Sequence, residues 1–201
     1  MKRKILRCVE SFIKTMSFLR KFVEPKYLIV IISVLMVISA LLIVIEHYRR
    51  MASEQAPIVE VVKWDEGSDF ISWVPTNHVS FDIQEEVLVV NITGFDPFFH
   101  SPPMINLSAE ACIMRIRIAA VNCSMIKIYW IRADDLNWDE SKAHLFPEIT
   151  ADGEFHTYTF DDLCAHPQWR GTVVQFRLDP EPADVGPAIW YIDYIAFCKR
   201  G

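Results

Sequence analysis

The stretch PQWRGTVVQFRLDP, residues 167–180, decides the fold class that we predict. Apolar and polar residues alternate from Val174 to Leu178, which is the period of a strand with one buried face. Gly171 marks the turn before this strand, and Pro180 is expected to end it because proline donates no hydrogen bond to a central ladder. The stretch therefore predicts antiparallel β-structure.

The same pattern continues from about residue 58 to residue 197, with turn signals such as DEGSD, TGFDP and ADGE between the runs. No helix of ten or more residues is expected there, although WDESKAH could hold one turn. Many short strands with regular turns predict a mainly-β, antiparallel sandwich of jelly-roll type. The predicted strands are residues 58–63, 79–83, 86–93, 112–119, 125–132, 154–160, 172–178 and 188–197.

An uncharged apolar run precedes this domain. Residues 28–45, LIVIISVLMVISALLIVI, contain only two polar side chains. As a helix the run would be about 27 Å long, close to the hydrocarbon thickness of a bilayer. A buried core helix or a cleaved signal peptide would be shorter. We therefore predict one transmembrane signal-anchor helix over residues 27–48.

The distribution of basic residues predicts the orientation of this helix. Eight lysines and arginines precede it and only two follow it closely, which places the N-terminus in the cytoplasm and the C-terminal domain outside. Residues 1–26 form a basic cytoplasmic segment with apolar residues at helical spacing over residues 5–23. This amphipathic helix would lie on the lipid bilayer or pack against a partner, or its basic residues would only set the topology.

The extracytoplasmic part is acidic. From Met51 onward the chain has 23 acidic and 10 basic residues, a net charge of −13. Such a domain repels nucleic acid, so we exclude nucleic-acid binding. Residues 49–57 are predicted to be a short linker, in which MASEQAP spans only about 25 Å when extended. The β-domain is assigned to residues 58–201 and would sit close to the membrane.

Four segments together carry a family resemblance: VVNITGFDPFFHSPPMINLSA, NWDESKAHLFPEITADGEFHTYTF, WRGTVVQFRLDP and WYIDYIAF. Over about residues 65–197 they resemble the galactose-binding-like, carbohydrate-binding-module-like β-sandwich domains found beside glycoside hydrolases in bacterial envelope and secreted proteins. The resemblance implies the sandwich fold and a bacterial inner membrane with a periplasmic domain. This fold hosts glycan binders, accessory modules and interaction domains, so it does not select one function.

The sequence predicts no enzyme. It contains no HExxH, GxSxG, phosphate-binding or dinucleotide-binding pattern, and its adjacent carboxylates fall in predicted turns. No cofactor is expected, except that the resemblance allows a structural calcium ion held by Glu60 or Asp65 together with Asp193. A hydrogen bond from an arginine or the backbone is the alternative partner for Asp193.

Aromatic residues in predicted loops are the candidate binding residues. Exposed rings beside polar groups suit a saccharide, whose ring faces are apolar, and they suit a protein partner equally well. The alternative is that these rings close the ends of the sandwich. The candidates are Phe95, Phe98, Phe99 and Trp138.

Four cysteines lie in the predicted extracytoplasmic domain: Cys112, Cys123, Cys164 and Cys198. Disulfides persist in such a compartment, and four cysteines allow three pairings that the sequence does not distinguish. Buried thiols are the alternative. Sequons at Asn91, Asn106 and Asn122 would matter only in a eukaryotic lumen.

Two functions follow from these features. The first is a non-enzymatic scaffold or accessory subunit that docks on a larger integral-membrane protein complex, either an envelope-glycan machine or an energy-transducing (respiratory or photosynthetic) assembly. The short linker and the single anchor favour it. The alternative is a membrane-tethered carbohydrate-binding module that recognises envelope saccharide through its loop aromatics.

Overall fold

The structure is a computed structural model that describes residues 25–54, 56–181 and 187–201. The predicted amphipathic helix over residues 5–23 lies outside the described residues. The chain divides into two compact units between Ala56 and Pro57, and each is described by itself.

The first unit contains helix α1, Pro25–Glu54. Its portion Ile29–Arg49 is long and apolar enough to cross a membrane, by length and composition, as an anchor or as a signal sequence. The hydroxyls of Ser33 and Ser39 donate to the carbonyl oxygens one turn earlier, at 2.9 and 2.8 Å. The two polar side chains of the run are thus satisfied within the helix.

The second unit is a sandwich of two antiparallel sheets, which confirms the predicted fold class. The first sheet has the order β10-β7-β12-β4-β3, with β1 beside β12, and the second has the order β2-β5-β11-β8-β9, with β6 beside β11. A single turn of helix, α2 (Gly67–Phe70), follows β1. The strands are β1 Ile58–Trp64, β2 Val74–Asn77, β3 Val79–Gln84, β4 Val87–Ile92, β5 Phe98–His100, β6 Leu107–Ser108, β7 Ile113–Val121, β8 Met125–Arg132, β9 Ala143–Leu145, β10 His156–Phe160, β11 Thr172–Glu181 and β12 Ala188–Arg200.

All eight predicted strands are present, with ends that differ by a few residues. Four further strands, β2, β5, β6 and β9, have two to four residues each, too few to show a period. The turn predicted in WDESKAH is the 3₁₀ helix Glu140–Lys142, where the Asp139 carboxylate accepts a hydrogen bond from the backbone N–H of Ser141.

The prediction that Pro180 ends its strand is wrong. β11 continues to Glu181, and Pro180 lies opposite Ile126 of β8. On its other side β11 pairs with β5 only as far as Leu178, so the pairing with β5 ends two residues before Pro180. A missing N–H costs no ladder hydrogen bond at such an edge position.

The inner faces of the two sheets form one aromatic-rich core. Trp130 and Phe176 of the second sheet and Trp190 and Phe197 of the first are fully buried. Trp169, just before β11, packs 5.0 Å from Trp130 and 5.7 Å from Phe197 between ring centroids. Residues 167–180 therefore contribute to the core twice, through Trp169 and through the inward-facing residues of β11.

One disulfide resolves the cysteine pairing that the sequence left open. It joins Cys112, just before β7, to Cys164 in the 3₁₀ helix Asp162–Ala165. Cys123 and Cys198 are buried thiols, and burial raises the pKa of the Cys198 thiol.

Candidate functional site

The second sheet brings four side chains together on its outer face, and the loop after β8 adds a fifth. In a strand, neighbouring residues point to opposite sides, and Phe176 and Leu178 fill the core. Arg177, between them, therefore points outward. The register places it opposite His100 of β5 and opposite Tyr129 of β8. We name the outer-face patch by the following residues: Phe98, His100, Tyr129, Trp138 and Arg177.

Arg177 lies at the centre of the outer-face patch. Its guanidinium carbon is 4.2 Å from the ring centroid of Phe98 and 4.2 Å from that of Tyr129. Its Nε and Nη2 donate to the two carboxylate oxygens of Asp179, at 2.7 and 2.5 Å. Two aromatic faces and a two-point ion pair hold the guanidinium in one orientation.

Asp179 is an unusual partner because it is buried on the outer side of a sheet. Only 5% of its surface is exposed. Burial raises its pKa to about 6, and the ion pair with Arg177 opposes this shift without cancelling it. Desolvation therefore outweighs pairing at this carboxylate.

A second charged group borders the patch. Tyr129 donates its hydroxyl to the Glu140 carboxylate, and Lys127 Nζ lies 3.2 Å from the other Glu140 oxygen and 4.8 Å from the centroid of the Tyr129 ring. The hydrogen bond from Tyr129 lowers the pKa of Glu140, and burial raises the pKa of Tyr129. Glu140 is exposed, so its carboxylate remains open to a ligand.

His100 connects the sheet to the loop that carries Trp138. The two ring centroids are 5.1 Å apart, and a His100 ring nitrogen is 2.9 Å from the Thr76 hydroxyl. Burial lowers the pKa of His100, and the nearby charge of Arg177 lowers it further. The imidazole is therefore neutral at pH 7 and can accept a hydrogen bond. Trp138 is 36% exposed.

The four predicted aromatic residues have three different environments. Phe98 and Trp138 meet at His100 in the outer-face patch. Phe99, the residue after Phe98, is fully buried against Trp190 and other core rings, so it has the core-filling role of the alternative interpretation. Phe95 is 77% exposed in the turn before β5.

Sequence reasoning missed His100, Tyr129, Arg177 and Asp179 as members or neighbours of the site. The alternation in VVQFRL already indicated an outward Arg177, but the sequence does not show which strands flank β11. The partners of Arg177 depend on the order β5-β11-β8, which joins strands from distant parts of the chain.

Two of the three residues suggested for calcium, Asp65 and Asp193, are paired with cations of the protein. Arg117 Nη1 lies 2.6 Å from a carboxylate oxygen of Asp193, and Lys63 Nζ lies 2.5 Å from one of Asp65. Within the described ranges no group of three or more histidine, cysteine, aspartate or glutamate side chains is arranged to hold a metal ion. The arginine partner suggested as the alternative for Asp193 is thus the one observed.

Comparisons with known proteins gave matches only among solved structures. No family model matches the chain, and no curated protein matches it. A family 29 carbohydrate-binding module from Piromyces equi is 12% identical, with 64% of this chain and 80% of that chain covered and a TM-score of 0.44. A variant module of the same family, complexed with cellulohexaose, is 9% identical, with 72% and 92% covered and a TM-score of 0.46.

A further module of this family, without a named ligand, is 10% identical, with 73% and 90% covered and a TM-score of 0.46. At these identities the likeness concerns the fold alone, and no ligand or residue role is transferred from it. The chain is similar in its sandwich fold to family 29 carbohydrate-binding modules.

Proposed function

We propose that this chain is a non-enzymatic, membrane-anchored binding module that holds a saccharide on the outer-face patch. One observation carries the proposal: the exposed ring of Trp138 and the half-buried ring of Phe98 lie beside His100 and the fixed guanidinium of Arg177. Aromatic faces next to a few oriented polar groups are what a sugar ring requires, because its faces are apolar and its hydroxyls need partners.

The polar groups at the patch provide both donors and acceptors. The exposed Glu140 carboxylate accepts hydrogen bonds from hydroxyls, and Lys127 and Arg177 donate to them. The Thr76 hydroxyl, exposed beside His100, does either. A saccharide hydroxyl, which both donates and accepts, suits this mixture better than a purely anionic or cationic ligand.

The charges of the patch balance, which favours a neutral saccharide. Arg177 is paired with Asp179 and Lys127 with Glu140. The surrounding domain carries a net charge of −13 from residue 51 onward, so an anionic polymer would be repelled.

The central group is held before any ligand binds. Arg177 is only 16% exposed and has four fixed contacts, two with aromatic rings and two with Asp179. A ligand that contacts it does not have to order a long side chain, which lowers the entropic cost of binding.

The same contacts support a role without catalysis. Both oxygens of Asp179 accept hydrogen bonds from Arg177, and Glu140 is bonded by Tyr129 and Lys127. A glycosidase needs one carboxyl group as a proton donor and a second as a base or nucleophile across the bond that breaks. Asp179 is buried with both oxygens bonded to Arg177, so it does not serve as the second of these two groups beside the exposed Glu140.

Helix α1 serves as the membrane anchor in this proposal. The excess of basic residues before it supports a cytoplasmic N-terminus and an extracytoplasmic sandwich, and the family resemblance supports the periplasmic side of a bacterial inner membrane. The Cys112–Cys164 disulfide supports an oxidising compartment for the sandwich.

A second candidate function is a scaffold or accessory subunit that docks on a larger membrane protein complex, an envelope-glycan machine or an energy-transducing assembly. A specific observation favours it: Ile71 and Ile83 are 75% and 40% exposed beside an open apolar groove, away from the outer-face patch. Exposed apolar surface with neighbouring polar residues is typical of protein interaction sites.

A binding survey tests the first candidate. The full chain, in lipid nanodiscs to avoid sugar-bearing detergents, is applied to immobilised neutral saccharides. We expect retention on at least one of them, and retention on none contradicts the saccharide function. Mild extraction from the native membrane tests the second candidate, which requires a co-purifying integral-membrane protein.

A further inference from the structure

An apolar groove opens between the two sheets at the edge where β2 and β3 lie. Its volume is about 710 Å³, and it is lined by residues of α2, the segment after it, β2, β3 and β4, including Trp73, Pro75 and Phe81. Ile71 and Ile83 stand at its margin with large exposed fractions. We name this feature the edge groove.

Strand β3 borders the edge groove and ends the first sheet. Every residue from Val79 to Gln84 pairs with β4, and among the described residues β3 has no second strand partner. An end strand presents backbone N–H and C=O groups that accept another strand. On β3 the Ile83 N–H already donates to Asp82 Oδ1, at 2.9 Å, so an added strand would pair with the other groups or displace this bond. Peptide segments bind sheet edges in this way, with their side chains placed alternately in pockets and in solvent.

Trp73 forms part of the apolar wall of the edge groove. Its side chain lines the groove and is 3% exposed. Its ring lies 5.9 Å from that of Phe99 and 5.4 Å from that of Phe176 between centroids, which joins this wall to the core.

The charge around the edge groove indicates what kind of segment would bind there. Acidic residues stand on the elements that border the groove: Asp69 lies in α2, and Glu85 and Glu86 lie in the turn between β3 and β4. Asp82 lines the groove itself. Glu86 accepts a hydrogen bond of 2.5 Å from the backbone N–H of Gly67, which fixes α2 and its acidic neighbours beside β3. Such a surface attracts cations and repels a second copy of itself.

We propose that the edge groove docks an extended segment of a partner protein in which apolar residues alternate with lysine or arginine. The segment adds a strand to β3, its apolar side chains enter the groove beside Ile71 and Ile83, and its basic side chains face the carboxylates. This inference rests on the scaffold function proposed above and names the surface and the partner chemistry for it.

The test uses the full chain in nanodiscs of zwitterionic lipid and a fluorescent peptide of about ten residues that alternates valine and lysine. We expect saturable binding, seen as a rise in fluorescence anisotropy. Ile71→Asn and Asp82→Asn should each weaken it at least about fivefold. The matched controls, Leu145→Asn and Glu154→Gln, change an equally apolar and an equally acidic exposed residue elsewhere and should alter it less than about twofold.

Several results would overturn the proposal. Equal weakening by Glu154→Gln, or equal binding of a peptide with its lysines in one block, would show unspecific attraction to an acidic protein. A concentration-dependent dimer that Ile71→Asn abolishes would assign the groove to a second copy. Binding that appears only after removal of residues 1–24 would assign it to the basic segment of the chain itself.

The failure of this inference is distinguishable from failure of the scaffold function. If no membrane protein co-purifies with the unchanged chain, the scaffold function fails. If a partner co-purifies and Ile71→Asn and Asp82→Asn retain it fully, the edge groove is not its docking site. Trp138→Ala should leave peptide binding unchanged, because the outer-face patch is a separate surface.

Discussion

The rings of His100 and Trp138 lie 5.1 Å apart between centroids, although His100 belongs to strand β5 and Trp138 to the loop after strand β8. This contact brings Trp138 next to the strand that carries Phe98, another of the predicted aromatic residues. His100 is in turn the neighbour of Arg177 on the sheet. The outer-face patch thus depends on strand order and not on proximity along the chain.

Replacement of Arg177 by lysine tests the centre of the outer-face patch. Lysine keeps the charge but loses the planar contact with the rings of Phe98 and Tyr129 and the two-point bond to Asp179. We expect saccharide affinity to fall at least about tenfold. Titration calorimetry on the full chain measures it, with Arg170→Lys, at an exposed arginine, as the control. Equal affinities for the two variants would remove Arg177 from the site.

Phe99 and Phe95 were both predicted as binding residues, but their replacement should have different effects on the free energy of unfolding. Phe99 is fully buried against Phe81, Trp73 and Trp190, so Phe99→Ala should lower the free energy of unfolding by about 3–5 kcal/mol. Phe95 is 77% exposed, and Phe95→Ala should change it by less than about 0.5 kcal/mol. Chemical denaturation measures both. Similar losses in the two variants would show that Phe99 is not a core residue.

Asp179 should give the folded chain a distinct pH dependence. Its pKa is raised from 3.8 to about 6 by burial, so the folded state binds this proton more tightly than the unfolded state does. Its contribution to stability is full below about pH 4 and is lost as the pH rises through about 6. The stability of the unchanged chain relative to Asp179→Asn should therefore fall across this window, by at most about 3 kcal/mol.

Denaturation at several pH values between about 4 and 7 measures this difference. Asp134→Asn is the control, because the hydrogen bond from Arg132 lowers the pKa of Asp134 and the sign is opposite. The stability difference between the unchanged chain and Asp134→Asn should stay almost constant between about pH 4 and 7, and it should be lost only as the pH falls below about 4. A difference for Asp179 that is flat or rising with pH would contradict the assigned burial effect.

The disulfide should contribute measurably to the stability of the sandwich. It links residues 52 positions apart, and the loop-closure entropy removed from the unfolded chain corresponds to about 4 kcal/mol. Cys112→Ser with Cys164→Ser should lower the free energy of unfolding by about this amount, measured by denaturant titration. Reductant should destabilise the unchanged chain and leave the double variant as it was. No effect of reductant on the unchanged chain would contradict the pairing.

The sequence predicted the sandwich well because its long strands show their period directly. In β11 the alternation of Val174, Phe176 and Leu178 with polar residues reports which side is buried. Short strands have no such signal: β5 has three residues, and its central Phe99 was indistinguishable from its outward neighbour Phe98. Periodicity therefore predicts long elements and fails on two- to four-residue strands.

The site was harder to predict than the fold for a physical reason. The partners of Arg177 come from β5 and β8, and their meeting requires the non-local pairing of both strands with β11. The burial of Asp179 on an outer face is a further tertiary effect, since strand alternation alone would leave that carboxylate in water. Trp138 was recognisable as an aromatic residue in a predicted loop, whereas Phe98, also predicted in a loop, lies half-buried in strand β5.

The measurement that tests the saccharide function most directly compares two aromatic variants of the full chain in nanodiscs. Titration calorimetry is run with a neutral saccharide retained in the binding survey. Trp138→Ala should weaken binding at least about tenfold, and Phe155→Ala, an equally exposed ring outside the outer-face patch, should leave the affinity within about twofold. Unchanged affinity in Trp138→Ala, or an equal loss in Phe155→Ala, would contradict the assignment of the outer-face patch as the saccharide site.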